Sequence, residues 1–513
     1  MRLNRRRFVG GLLGTTAVGG MLAKPLRAIS SLQLDSRPPT DVVEAFGFVG
    51  DGRTDNYRAF HRWVAHANRA GGGHYVFPAG TYYVERYRSL PMPQSERQNA
   101  QPAPIVGCDG LTITGYGAKI VLNGNFHRRA GQEVLDVTFL PFEFKRCRNV
   151  RIAGFEMDGG VRGMTRDPAA NEVYAHLISL LGCSNVTLQD LDLHHSQTDA
   201  VYLYEEGFNV AGRAGIACRN VTMQNVHCHN NARGGLAAFH VLGLLCTDCS
   251  FNENGHGLGR YRSHAPGYGV DVEPDHFEPH AIDTRTGDLE FRRCTFNDNV
   301  SAFLAAYLPR YQGYLRIVDC SSSSRFGYQH HMIIAWRGAL VQGGVHDAGN
   351  ASIWTCWQVD RGGDFTIRDC EIRSSALYGV HHAFPGNRLT LERVKITGTH
   401  RRAAGHGFVL AIHGDPGGGQ RNSLQDCEIF VPAARHLRAD SYDYEVSLHH
   451  THSESNLFAT NLPAIGGRHF AVEYGPGTVV RGDRFRGTAP GPADSFRPAH
   501  NAAHDTRARF SRP

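Results

Sequence analysis

The chain has 513 residues, of which 41% are hydrophobic and 20% charged. That balance excludes a disordered scaffold, a collagen-like fibre and a polytopic membrane protein. The net charge is +6, and the 54 basic residues include only four lysines, with no basic stripe or tail, so nucleic acid is not an expected partner.

At the N-terminus, Asn4-Arg5-Arg6-Arg7-Phe8-Val9 precedes a Gly-rich, mildly apolar run from Val9 to Ala23 and then Leu26-Arg27-Ala28. A basic start, a short apolar stretch and a small residue at the end read as a cleaved export signal over residues 1–28. The paired arginines followed by Phe resemble a twin-arginine signal, which implies the twin-arginine export machinery as a partner and a periplasmic or secreted destination. The apolar run is too short to span a bilayer, so the mature protein is expected to carry no membrane span.

Residues 29–100 read as a lead-in segment and cap. Phe46-Gly47-Phe48-Val49-Gly50-Asp51-Gly52-Arg53-Thr54-Asp55 runs into a helical stretch, Tyr57 to Asn68. Gly71-Gly72-Gly73 and Tyr75-Val76-Phe77-Pro78-Ala79-Gly80-Thr81-Tyr82 follow. This segment resembles the N-terminal cap of the pectate-lyase-like superfamily, whose members close a right-handed parallel β-helix with such a turn, helix and strand. The resemblance implies that fold and polysaccharide-directed chemistry. Asp51 and Asp55 have turn and helix-cap chemistry and are expected to be structural. Residues 85–104, rich in Pro, Gln and Arg, read as an inserted segment.

Internal repetition then fixes the architecture. Asn185-Val186-Thr187-Leu188-Gln189-Asp190-Leu191-Asp192-Leu193-His194-His195-Ser196 is repeated by Asn220-Val221-Thr222-Met223-Gln224-Asn225-Val226-His227-Cys228-His229-Asn230-Asn231. Shorter copies begin at Leu289, Leu315, Phe365, Leu389 and Leu424. Period-2 strands that recur with Asn and Gly turns bury their inward faces only by stacking coil on coil. The reading is all-β: a single right-handed parallel β-helix over 101–482 with an N-terminal capping helix, followed by a loosely attached tail, 483–513. Cys249, Cys294, Cys320, Cys370 and Cys427 share one slot of the repeat, and Cys147, Cys183 and Cys218 another. Same-slot cysteines are expected to be small, reduced core residues, not disulfides or a zinc site.

Function is read from the outward positions of the alternating runs. Asp199-Ala200-Val201-Tyr202-Leu203-Tyr204 turns Tyr202 and Tyr204 outward, and Gly235-Leu236-Ala237-Ala238-Phe239 presents Ala237 and Phe239. Gly269-Val270-Asp271-Val272-Glu273 presents Asp271 and Glu273, and later coils present Ile333, Ala335, Trp354 and His381. Aromatic faces beside acids suit sugar rings, which stack on one and engage the other through hydroxyls or the glycosidic oxygen. Asp271 and Glu273, at i and i+2, lie roughly 6.5–7 Å apart along the backbone, near the lower end of the span used by inverting glycosidases. They are the expected acid/base pair. Tyr202, Tyr204, Phe239, Arg262, Trp354 and His381 are the expected substrate contacts, for a polysaccharide or oligosaccharide. His194 and His195 sit at a turn, where alternation sends one inward and one outward, and both are expected to be structural. No cofactor and no metal is expected.

Fragments of several enzyme-family motifs surround this pair, none of them complete. Thr198-Asp199 and Gly255-His256-Gly257 resemble parts of polygalacturonase motifs, and Tyr268-Gly269-Val270-Asp271 resembles the start of a mannuronan epimerase motif. Gly269-Val270-Asp271-Val272-Glu273-Pro274 resembles a turn of bacterial and phage polysaccharide-degrading β-helices. These fragments do not fix the reaction; the Asp271 and Glu273 pair makes hydrolysis the first reading, with uronate β-elimination or C5-epimerisation, and non-catalytic glycan binding, as alternatives.

Overall fold

The computed structural model describes residues between 37 and 487 and Arg509–Phe510, apart from several segments, among them 93–103, 208–214, 259–266, 273–286, 432–445 and 461–471. The export-signal reading at 1–28, most of the inserted segment at 85–104, Arg262 and Glu273 lie outside the described residues.

The described chain is a right-handed parallel β-helix. Thirteen strands, from Ile105–Val106 to Val472–Tyr474, stack in chain order into one parallel sheet. Its ladder is in register from coil to coil: Phe142, Ile178, Val201, Leu236, Val270, Leu304, Met332, Ile353, Val380, Leu410, Val446 and Val472 share one column. The remaining coil strands form the other walls. In the early coils these are long strands that run through a corner, such as Arg148–Asp158, Ser184–His194 and Cys218–His229. From Val241 onward the same path is split at the corner into two strands per coil, Val241–Thr247 and Ser250–Asn252 being the first such pair.

The split falls at one recurring conformation. Gly117, Gly154, Asp190, Asn225, Asp248, Arg293, Asp319, Asp369, Arg393, Asp426 and Ser455 all have positive φ and turn the chain at this corner. Asn, Asp and Gly reach that region most readily, which explains the recurring Asn and Asp of the repeat. The next residue swings inward, and in five late coils it is cysteine. The Cys249, Cys294, Cys320 and Cys427 thiols each lie 3.2–3.4 Å from the carbonyl oxygen two residues back. The Arg292, Val318 and Gln425 carbonyls among these also accept a backbone N–H from the neighbouring coil. All eleven described cysteines are free and buried.

A second corner is held by side-chain amides inside the solenoid. Asn231 Nδ2 donates to Asn254 Oδ1 at 2.9 Å, and Asn254 Nδ2 donates to Asn299 Oδ1 at 3.1 Å. Their Oδ1 atoms also accept backbone N–H groups of the preceding coil, Ser196 to Asn231 and Asn254 to Asn299. Each amide therefore clamps two coils.

The first coil is closed by the helix Tyr57–Ala70, two residues longer than the sequence suggests. It buries Phe60, Trp63, Val64 and Ala67 against Phe48, Tyr75 and Phe77. Asp51 accepts from the Arg53 and Thr54 N–H groups, and Asp55 from Tyr57 and Glu85. The bonds to the Thr54 and Arg53 amides hold the Asp51 carboxyl down at about 2. At the other end the ladder continues past 482 through Arg484–Gly487, which pairs with Leu457–Thr460. Among the described residues no helix is long and apolar enough to cross a membrane.

Two stability outcomes follow. Asn254→Ala removes the middle of the buried amide ladder and is expected to destabilise by about 1–3 kcal/mol or more in urea unfolding, because donors and acceptors on both sides lose their partner. Asn220→Ala, in an exposed ladder, should cost about 1 kcal/mol, set by placing alanine at φ 53° and not by loss of the solvent-screened amide bond. Because the described thiols are reduced, the melting temperature should not move when a reductant is added; a drop of several degrees would reveal a structural disulfide.

Candidate functional site

On the thirteen-stranded sheet, the column beside the core column reads Glu143, Ser179, Tyr202, Ala237, Asp271, Ala305, Ile333, Trp354, His381, Ala411, Ser447 and Glu473. Val201 and Leu203 flank Tyr202, and Val270 and Val272 flank Asp271, all four inside the core. Tyr202 and Asp271 accordingly face the outer side. Strand spacing puts them two coils, or about 10 Å, apart. Trp354 and His381 stand three and four coils beyond Asp271, at roughly 14 and 19 Å along the sheet.

Around Asp271 the structure gathers residues from three other coils. The Arg233 guanidinium reaches Asp199 Oδ2 through Nη1 and Asp271 Oδ2 through Nη2, each at 3.5 Å. Asp199 Oδ2 is also 3.3 Å from His176 Nδ1, which lies 3.1 Å from Thr198 Oγ1. Both aspartates are almost wholly buried, at 1% and 2% exposed. Buried charge is tolerated where it is paired, and here one guanidinium serves two carboxylates. The Arg233 cation also sits over the Phe239 ring at 5.6 Å.

The aromatic residues form a packed band beside this cluster. Tyr202 stacks on His176 at 4.2 Å and 4° and on Tyr204 at 5.2 Å and 12°, and meets Phe239 edge-on at 5.6 Å. Tyr204 meets His240 at 4.7 Å. Tyr202, Tyr204 and Phe239 thus pack together, the two tyrosines stacked and Phe239 edge-on to both, with Arg233 linking Phe239 to the aspartates. All three rings are buried, at 5%, 1% and 5% exposed, so outward alternation does not leave them as an open platform. Trp354 and His381 share the Asp271 column but are not brought to it.

Arg233, Asp199 and His176 form the part of the cluster that reading by strand alternation did not assemble. A signal was present: Asp199 pairs with Gly234 one coil on, so aligning Ser196–Asp199 with Asn231–Gly234 sets Arg233 beside Asp199. The histidine pair departs from expectation. His195 has φ 56° at a coil corner, which breaks the alternation and brings its Nδ1 to 2.5 Å from His194 Nδ1 instead of sending the two rings to opposite sides. Burial and the neighbouring His194 push the His195 imidazole down to about 4.

Glu143 and Glu473 share the outward column with Asp271. Glu143 is buried, 3.7 Å from the Lys145 ammonium. Burial pushes its carboxyl up to about 8, the nearby Lys145 offsetting only part of that.

Residues 169–325 match the family described as the right handed beta helix region. A search of curated proteins finds no match to the chain. Among solved structures, the A-module of a mannuronan C-5 epimerase from Azotobacter vinelandii is similar at 13% identity and TM-score 0.43, covering 92% of this chain and 99% of that one. PfbA, a surface adhesin of Streptococcus pneumoniae, is similar at 12% identity and TM-score 0.42, covering 88% and 91%. A hyperthermoactive exopolygalacturonase from Thermotoga maritima is similar at 13% identity and TM-score 0.37, covering 83% and 88%. The fold and the family match place this chain among the right-handed parallel β-helix proteins. An epimerase, an adhesin and a hydrolase at such identities assign no activity to it.

The raised Glu143 carboxyl has a consequence for stability. Between its ordinary value of 4.5 and about 8, the folded protein keeps a proton that the unfolded chain has released. Stability should therefore fall as pH rises through that window, at up to ~1.4 kcal/mol per pH unit from this group. Glu143→Gln should flatten that fall in melting temperatures measured from pH 5 to 8; an identical slope in both proteins would mean that the carboxyl is ionised throughout.

Proposed function

We propose that the protein is an exported carbohydrate-active enzyme that hydrolyses a polysaccharide on the outer face of the thirteen-stranded sheet. The observation that carries this reading is the pair of buried carboxylates, Asp271 and Asp199, bridged by Arg233 beside a stacked aromatic wall. Asp271 and Glu273 are the acid/base pair of the proposal, and Asp199, with Arg233 and His176, positions Asp271. One carboxyl protonates the glycosidic oxygen while the other takes a proton from water. The C–O bond to the leaving sugar breaks as the water oxygen bonds the anomeric carbon from the opposite face. The order of the two acids is left open.

Tyr202, Tyr204 and Phe239, buried against one another, would back the binding face and offer the glycan only their edges, with Arg262, Trp354 and His381 as contacts farther along it. Successive coils advance by about 4.8 Å, so a glycan lying along the solenoid axis would cross Tyr202, Asp271 and Trp354 in turn. β-Elimination or C5-epimerisation calls for a cation left over for the uronate carboxylate. Both terminal nitrogens of Arg233 already face aspartates, which favours hydrolysis over those readings.

The test is digestion of a panel of neutral and acidic polysaccharides with the full chain. New reducing ends without the ultraviolet absorbance of an unsaturated uronate are expected, with a rate profile that is bell-shaped on the acid side of neutrality. Asp271→Asn and Glu273→Gln should each lower turnover by roughly 10²–10⁴-fold while the melting temperature of the fold is kept. Tyr202→Ala should mainly raise KM. Appearance of the unsaturated-uronate absorbance would establish elimination instead. An altered epimer ratio at constant chain length would establish epimerisation, and saturable binding without any product would leave a glycan-binding solenoid.

A further inference from the structure

The wall that leads into the thirteen-stranded sheet carries a separate concentration of imidazoles and carboxylates. Three neighbouring strands set Glu156, Asp192 and His227 in one row across the coils, and Asp158, His194 and His229 in the row two residues on. A cavity of about 340 Å³ lies against the first row, lined by Tyr116, Lys119, Glu156, Asp190, Asp192 and His227.

Within the second row, three donor atoms converge. The two Nδ1 atoms of His194 and His195 are 2.5 Å apart, and Asp158 Oδ1 is 4.0 Å from the first and 3.7 Å from the second. All three lie within 4.8 Å of one another. Both imidazoles are more than nine-tenths buried, with side chains 8% and 9% exposed.

The hydrogen-bond partners on the far side fix which atoms carry lone pairs. Lys119 Nζ lies 2.6 Å from Glu156 Oε1, so Glu156 is an acceptor, and the same oxygen is 3.1 Å from His194 Nε2. The His194 hydrogen therefore sits on Nε2, and its Nδ1 lone pair points at His195 Nδ1. The His195 Nε2 is buried without a hydrogen-bond partner. With its hydrogen on Nδ1, His195 satisfies His194 but leaves a bare buried acceptor at Nε2. With its hydrogen on Nε2, two lone pairs confront each other across the short Nδ1 contact. A cation held by the two Nδ1 atoms and the Asp158 oxygen would turn the opposed lone pairs into ligands, leaving only the His195 Nε2 hydrogen without a partner.

We propose that Asp158, His194 and His195 form a binding site for a divalent first-row transition metal of the zinc class. Two neutral imidazoles and one carboxylate suit Zn²⁺, Co²⁺ or Ni²⁺, whereas Ca²⁺ and Mg²⁺ take oxygen donors throughout. The Glu156 carboxylate on the outer nitrogen of His194 is the arrangement that orients metal-ligating histidines. Glu156 and Lys119 are thus positioning residues. This site is independent of the Asp271 groove and of the hydrolysis proposed there.

The test uses the full chain without a histidine tag, stripped with a chelator and titrated with Co²⁺ by visible absorption and with Zn²⁺ by calorimetry. One tight equivalent, reversed by chelator, is expected above the weak background of a chain with 29 histidines. Asp158→Asn and His195→Ala should each weaken that equivalent by at least ~100-fold, and Glu156→Gln by about 10–100-fold. Circular dichroism and melting temperature in the presence of chelator establish that each variant is folded; Asp158→Asn, which keeps the side-chain shape, decides the matter if His195→Ala does not fold. The proposal is overturned if neither Co²⁺ nor Zn²⁺ binds tightly, if the folded Asp158→Asn protein binds as tightly as the parent, or if Ca²⁺ competes on equal terms.

Discussion

A single backbone conformation sets the geometry of this solenoid: the positive-φ residue that turns each coil. Where it recurs in the same place coil after coil, the strands on either side are forced into common register, and inward positions stack in columns in which a side-chain type can recur from coil to coil. The thiol and amide columns follow from this. At the first corner cysteine fills the inward slot with a small apolar body, its weak donor added to carbonyls already paired between coils. At the second corner, backbone N–H groups such as those of Ser196 and Asn254 must find partners inside a dry core, and Asn231, Asn254 and Asn299 answer with amides that bond to one another as well as to the backbone. The amide solution is the more demanding one, since each side chain is satisfied only while its neighbours above and below are in place.

That constraint also explains what could be read from the sequence. The Cys and Asn slots are visible because they are fixed relative to a corner within their own coil, so local spacing reveals the repeat and hence the parallel β-helix. The alternation that turns Asp271 outward between Val270 and Val272 is equally local. The Arg233 bridge is not. Its two aspartates, Asp199 and Asp271, and the His176 that contacts Asp199 come from different coils separated by segments of unequal length, and only the stacking register brings them together. The histidine pair escaped for the opposite reason: the period-2 rule was carried one residue too far, through a corner where His195 has left extended geometry.

The two polar clusters differ in how they neutralise charge. At Asp199 and Asp271 one guanidinium contacts both carboxylates, and its planar fork can face two acids at once in a way an ammonium cannot. Around His194 the polarity is carried instead by imidazole rings held between acids, with Lys119 engaging Glu156 from the cavity side. The first arrangement is a set of fixed charges; the second has nitrogen lone pairs directed into a common space.

Fixed charges buried on the outer wall of a solenoid are expensive to desolvate, and hydrophobic residues of the same volume would stabilise the coil more. Neighbouring rungs show that the wall accepts such residues, since Ala237 and Ala305 flank Asp271 in its own column. The coil therefore gains nothing in stability from an aspartate there, and a second aspartate two coils away adds to the cost. Arg233 limits this by making the pair mutually dependent: with the guanidinium removed, two buried carboxylates would lose the cation between them. A cost of this kind, concentrated in one patch of an otherwise regular ladder, is what a site prearranged for charge development would carry, and it is the physical ground on which we propose chemistry at Asp271.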